Sequence, residues 1–144
     1  GQYINSILAG YEARRGGYDE ALLLDTAGFV AEGSGENVFI VRDGKVLTPP
    51  ATSILPGITR DAVMRILSDI GINVTEEHFP RDAFYIADEA FMTGTAAEVT
   101  PVRELDDRTV GSGRPGPITV ELQRVFQSAV HGREDRYKDW LYFV

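Results

Sequence analysis

The sequence predicts a mixed α/β or α+β domain with a single core, and three observations carry that prediction. Short β-rich runs and helical periodicities interleave along the chain, and turns rich in glycine and proline separate them. Hydrophobic residues at 43% and charged residues at 25% match an ordinary globular protein, not a disordered or fibrous one. A chain of 144 residues is one domain in size, and a domain near this length buries about 70% of the surface its unfolded chain exposes. No linker, repeat or low-complexity segment divides residues 1–144.

Taken in order, Asn5 or Ser6 caps a first helix with Ile7, Leu8 and Tyr11 at helical spacing, and Gly16-Gly17 after Arg14-Arg15 stops it. Glu20 to Asp25, with Leu22, Leu23 and Leu24, reads as a strand entering a turn at Thr26-Ala27-Gly28. Asn37 to Arg42 is β-rich, and Asp43-Gly44 before Lys45, Val46 and Leu47 is the strongest hairpin signal in the chain. Pro49-Pro50 breaks the pattern. Ile58 to Ile70 then carries Ile58, Val63, Ile66, Leu67 and Ile70 at near-helical spacing.

Val74 to Phe79 reads as a strand, Arg81 to Ala87 as a short helix, and Ala90 to Met92 as a strand leading into Thr93-Gly94-Thr95. Val99 to Leu105 reads as the next strand, with loops at Asp106-Asp107 and at residues 111–117. Ile118 to Val130 is an amphipathic helix through Ile118, Leu122, Val125, Phe126 and Val130. The tail from His131 is charged and then aromatic; Tyr137, Trp140, Tyr142 and Phe143 read as packing or subunit contacts.

A net charge of −8 and a pI near 4.7 argue against a surface that tracks nucleic-acid phosphates or anionic membranes. An anionic ligand needs a local site instead. Cysteine is absent, so there is no thiolate nucleophile, disulfide or cysteine metal site, and a cytoplasmic setting fits. His78 and His131 stand alone and read as surface or packing residues, with no metal site expected. No run of about 18 apolar residues marks a membrane span. The start at Gly1, without methionine and inside an amphipathic segment, suggests a processed chain or a fragment.

Three stretches could carry chemistry. Thr52-Ser53-Ile54-Leu55-Pro56-Gly57-Ile58-Thr59-Arg60-Asp61 brings glycine, hydroxyls and unpaired amides to a helix start, where the macrodipole favours a phosphate. The alternative there is a routine helix cap with Asp61 complementing the dipole. Thr93-Gly94-Thr95-Ala96-Ala97 offers hydroxyls and approachable amides, or else a tight turn packed with small residues. Glu32, followed by Gly33, Ser34 and Gly35, presents a carboxylate that a flat ligand can approach, where a basic ring nitrogen would be held protonated. A β-bulge or hairpin connection with a solvated Glu32 is the other reading.

AEGSGENVFIV, TPPATSILPGITRD and ADEAFMTGTAAEVTPVRELDD, in this order and spacing, resemble the C-terminal, larger domain of branched-chain amino acid aminotransferases, members of the fold type IV pyridoxal phosphate enzymes. GQYINSILAGYEARRGGYDEALLLD resembles the same family, so the likeness spans the chain. It implies a strand-rich domain of β-sheets or a pseudo-barrel surrounded by helices, binding pyridoxal 5'-phosphate. By position, Glu32 resembles the carboxylate that pairs with the pyridinium nitrogen and Tyr3 the phenol near the ring oxygen. Gly57, Ile58 and Thr59 resemble the phosphate-holding helix start, Thr95 an added hydroxyl, and Thr95 with Ala96 the amides that face the substrate carboxylate.

The resemblance also implies a lysine that forms the Schiff base and moves the proton. Lys45 and Lys138 are the lysines present, and neither occupies the motif position. The expectation is that this lysine lies upstream of Gly1 with the smaller N-terminal domain, and that this chain alone does not transaminate. The complete protein would transfer the amino group of leucine, isoleucine or valine to 2-oxoglutarate, as a homodimer or higher homo-oligomer. A D-amino acid aminotransferase, an R-selective amine transaminase or an aminodeoxychorismate lyase shares the Glu-Gly signature, and a non-catalytic binding or assembly subunit is the alternative of a different class.

Overall fold

Four consecutive apolar residues, Val38 to Val41, are all buried because the strand that carries them is covered on both faces. A computed structural model describes residues 3–52 and 54–142, which leaves Ser53 and Phe143 outside the described residues. The elements are α1 (Ile4–Arg15), β1 (Leu22–Leu24), β2 (Val30–Gly33), β3 (Asn37–Arg42), β4 (Lys45–Thr48), α2 (Ile58–Asp69) and β5 (Val74–Glu76). Then come α3 (Asp82–Tyr85), β6 (Glu89–Gly94), β7 (Glu98–Pro101), β8 (Glu104–Leu105), β9 (Arg108–Thr109), α4 (Pro117–Val130) and a 3-10 turn at Asp135–Trp140. The mixed α/β expectation holds.

The central sheet has the order β5-β4-β3-β6-β7, antiparallel except for the β4–β5 pair, which α2 connects. Period-two alternation splits β3 between two cores. Phe39 and Val41 join Phe91 from β6 and pack under α2 (Val63, Ile66, Leu67) and α4 (Leu122, Val125, Phe126, Ala129). Val38 and Ile40 turn the other way, toward Val30, Phe79, Phe84 and Val110. Phe39 and Phe91 are direct cross-strand partners and stack with ring centroids 5.0 Å apart.

Several boundaries differ from expectation, each for a physical reason. Helix α1 starts at Ile4 with Tyr3 at the N-cap, not at Asn5 or Ser6, and no side chain among the described residues caps it. The strand expected over Glu20 to Asp25 contracts to β1, because Glu20 is drawn off to accept the Ala21 and Ser34 amides. The strand expected over Val74 to Phe79 ends at Glu76; Phe79 leaves the β4 edge and its carbonyl instead accepts the Val30 amide. The short helix spans only Asp82–Tyr85, while β6 extends beyond Ala90 to Met92 in both directions.

Val99 to Leu105 is not one strand. The chain leaves β7 after Pro101, and a separate hairpin, β8–β9, forms around Asp106-Asp107 with φ of 52° and 60°. Aspartate is among the few non-glycine residues that adopt left-handed backbone, and side-chain contacts hold both residues in place. Tyr85 and Arg81 hold the Asp106 carboxylate, and Tyr18 both donates to Asp107 Oδ1 and accepts its amide. In the tail, Tyr137 is buried, stacks on Trp140 and donates to Asp69 Oδ2 at 3.0 Å, so packing is its role within the chain.

Candidate functional site

The sheet face that carries Phe39 and Phe91 turns polar one step further on, where Asn37 of β3 and Thr93 of β6 are paired directly. The first turn of α2 sits beside this polar rung, together with the end of β2 and the residue 54–57 loop. Between them lies a cavity of about 380 Å³. It collects Tyr3, Glu32, Gly57, Ile58, Thr59 and Thr95, residues scattered widely along the sequence. Ala96 follows Thr95 in the turn and is not part of the cavity wall. Neither lysine reaches it: Lys45 pairs with Arg42 at the end of β3 remote from Asn37, and Lys138 bonds Asp135 in the 3-10 turn.

Glu32 is half-buried, and its Oε2 accepts the Leu55 amide at 3.0 Å with Asn37 Nδ2 at 3.5 Å. No hydrogen bond among the described residues reaches Oε1, which leaves one carboxylate oxygen for a ligand. Across the cavity, α2 begins after Gly57 with no side-chain cap among the described residues, and Ile58 and Thr59 stand at its first two positions. Ile58 is 86% exposed, so its amide is what it can offer to the site. Unpaired amides at a helix start attract anions.

Thr93 adds the clearest sign of a missing partner. It is 1% exposed, lines the cavity, and its Oγ1 has no hydrogen-bond partner among the described residues. A buried hydroxyl left unmatched is costly unless something fills the site. Gly57 has ordinary backbone angles, but a Cβ there would collide with Asn37 Oδ1. Gly94 lies so close to Glu36 that a Cβ would meet its Cγ at 3.2 Å.

Arg60 anchors the first turn of α2 from below. It is 3% exposed, donates to the Pro49 carbonyl at 3.0 Å and is paired with Glu76 of β5. Its guanidinium therefore ties the helix start to both ends of the β4-α2-β5 crossover.

Glu36 lines the same cavity, and its Oε2 accepts the Gly35 amide at 3.1 Å. Burial pushes its carboxyl up, and the hydrogen bond and negative charge of Glu20 push it further. Burial also opposes ionisation of Glu20, but hydrogen bonds from the Ser34 hydroxyl, the Ala21 and Ser34 amides and Glu36 outweigh it and hold that carboxyl down. The two carboxyls are thus driven apart, Glu36 toward its protonated form and Glu20 toward its charged one.

Sequence reasoning singled out Glu32, Gly57 and the threonines because each sits in a local run of small or polar residues. It passed over Asn37 as a strand residue, and from the Thr93 to Ala97 stretch it carried Thr95 and Ala96, not Thr93, into the site. The final letter of AEGSGEN, a polar residue opening an apolar strand, was the one available signal for Asn37.

A carboxylate and an uncapped helix start lining one cavity, on a mixed sheet, offer the chemistry to hold an anionic ligand that also carries a cationic or hydrogen-donating group. Residues 1–105 match the amino-transferase class IV family, and the chain belongs to it. It is 51% identical over 140 residues to a branched-chain-amino-acid aminotransferase of Pseudomonas aeruginosa, covering 97% of this chain and 46% of that protein. A probable enzyme of the same name from Aquifex aeolicus is 54% identical over 143 residues, covering 98% and 46%.

Among solved structures, the branched-chain amino acid aminotransferase from Thermobaculum terrenum, in its PLP-bound holo form, superposes with a TM-score of 0.94 at 46% identity, over 97% of this chain and 46% of that one. The Escherichia coli branched-chain amino acid aminotransferase gives 0.90 at 50% identity, over 94% and 46%. The chain spans about half the length of the relatives it matches. No helix among the described residues is long and apolar enough to cross a membrane.

Proposed function

We propose that these residues form the cofactor-binding, larger domain of a cytoplasmic pyridoxal 5'-phosphate-dependent aminotransferase acting on branched-chain amino and 2-oxo acids. The observation that carries the reading is the one cavity lined by Glu32, whose Oε1 takes no hydrogen bond among the described residues, by the uncapped start of α2 and by Thr93, whose buried hydroxyl has no partner among them. That donor set fits the cofactor's chemistry. Gly57, Ile58 and Thr59 would hold the phosphate with the Thr95 hydroxyl, helped by the dipole of α2, a contribution of about 1 kcal/mol. Glu32 would hold the proton on the ring nitrogen, and Tyr3 would donate toward the ring oxygen.

Bound there, pyridoxal 5'-phosphate supplies an electron sink for proton removal at an amino acid's α-carbon. The part played by this chain is charge and orientation: Glu32 would keep the ring cationic, and the Thr95 amide would orient the substrate carboxylate, with Ala96 next to it in the turn but outside the cavity wall. The proton-moving lysine, the smaller N-terminal domain and a second protomer belong to the same reading, as components outside these residues. The high identity to branched-chain enzymes supports that substrate class over the related D-amino acid, R-amine and aminodeoxychorismate activities.

Titration with pyridoxamine 5'-phosphate tests the site without requiring a lysine. Saturable binding that Glu32→Gln weakens about tenfold, the cost of one hydrogen bond to a charged group, supports the reading. Absence of binding overturns it. For the complete protein, turnover of 2-oxoisocaproate but not D-alanine or aminodeoxychorismate supports the branched-chain assignment.

A further inference from the structure

Resting on that reading of the cavity, we infer that Asn37 is a positioning residue that locks the ring-facing carboxylate and the phosphate-holding helix start into one unit. Asn37 is 5% exposed and opens β3 directly beneath the site. Its Nδ2 donates to the Leu55 carbonyl at 2.9 Å and reaches Glu32 Oε2 at 3.5 Å, while the Leu55 amide donates to that same Oε2 at 3.0 Å. Three groups thus close a ring: strand residue, loop peptide and carboxylate. The other end of the amide, Oδ1, fills the space where a side chain at Gly57 would be.

The consequence follows from which oxygen is occupied. With Oε2 engaged by Leu55 and Asn37, Oε1 is the oxygen Glu32 keeps free for a ligand, and the carboxylate is held against swinging toward the loop. The same side chain fixes the peptide two residues before Gly57, and so the direction in which the Ile58 and Thr59 amides point. The distance between the two halves of a ligand's binding site is therefore set by one buried amide on a rigid strand. Thr93, its cross-strand partner, gives Asn37 a hydroxyl neighbour and no competing charge.

Three variants test the inference: Asn37→Ala, Asn37→Asp and Gly57→Ala. The last leaves Asn37 intact but pushes its Oδ1 out of place, and so covers the case in which a substitution at 37 impairs folding. Each protein is titrated with pyridoxamine 5'-phosphate carrying an isotope-labelled ring nitrogen, and the ring nitrogen's NMR shift is followed against pH alongside affinity and thermal midpoint. Affinity is expected to fall about tenfold. The bound ring nitrogen is expected to lose its proton at lower pH than in the unaltered protein, in the direction Glu32→Gln takes it. A purely structural role would lower the thermal midpoint and leave that titration unmoved, and this result overturns the inference. Glu32→Gln separates the two levels: if it too leaves the ring nitrogen unmoved, the cofactor reading itself fails.

Discussion

Helices α2 and α4 both begin after a glycine in extended conformation, yet their N-termini are treated in opposite ways. At α4 the chain supplies the anion itself. Glu89 of β6, 6% exposed, accepts the Ile118 amide at 3.1 Å, the Thr119 amide at 2.8 Å and the Thr119 hydroxyl at 2.6 Å. Gly116 is needed there because any Cβ would overlap the Glu89 carboxyl. At α2 no such carboxylate arrives among the described residues, and Ile58 and Thr59 line the cavity. The same electrostatic feature is used for the fold at one helix and, in the proposed function, is kept for a ligand at the other.

The largest expected effect breaks the filled end. Glu89→Ala strips hydrogen bonds from two buried Thr119 donors and the half-buried Ile118 amide, and should lower stability by about 3 kcal/mol in a denaturant titration. Ile118 and Thr119 lie outside the cavity, so those molecules that remain folded should bind pyridoxamine 5'-phosphate with unchanged affinity.

At the open end the pattern reverses. Thr93→Val removes the unpartnered hydroxyl while keeping its shape, so the ligand-free protein should be as stable as before or gain about 1 kcal/mol. Ligand affinity should drop about tenfold if the hydroxyl serves the ligand. Calorimetry with and without pyridoxamine 5'-phosphate reads both. An equal loss of stability in both states would make Thr93 a core residue only.

The smallest effect concerns the wall of the open site. Because the folded value of Glu36 is raised, its contribution to stability is complete at low pH and is lost as pH rises through that raised value. Glu20 is held down, so its contribution is present above the ordinary carboxylate range and is lost as pH falls through its lowered value. The pair stabilises most between these limits. Glu36→Gln removes the upper loss, and should raise stability at neutral pH by under about 1 kcal/mol with no gain in acid. Thermal midpoints across about pH 4 to 8, a range spanning the ordinary carboxylate values and neutrality, check the sign.

How much of this was legible follows the same division. The α2 end was readable because Gly57 to Asp61 and the run around Glu32 are local, and their physics depends on neighbours in sequence. The α4 end was not, because Glu89 caps a helix 29 residues away in sequence and looks from its surroundings like the solvated start of a strand. The β8–β9 hairpin was hidden for a related reason: its Asp-Asp turn lacks the glycine that marked Asp43-Gly44, and distant Tyr18 and Tyr85 hold it. Helix α1 shows the reverse limit. Its apolar spacing does mark a helix, but Ile7 and Leu8 remain 63% and 60% exposed, since periodicity reports a face and not what covers it.

In the proposed function one helix start is reserved for a ligand, while the other is satisfied from within by Glu89. Backbone amide NMR during a titration with pyridoxamine 5'-phosphate tests it directly. The account predicts that the Ile58 and Thr59 amides shift and gain protection from exchange, while Ile118 and Thr119 are already protected and do not move. Unchanged Ile58 and Thr59 signals at saturation, or equal responses at both helices, would contradict it.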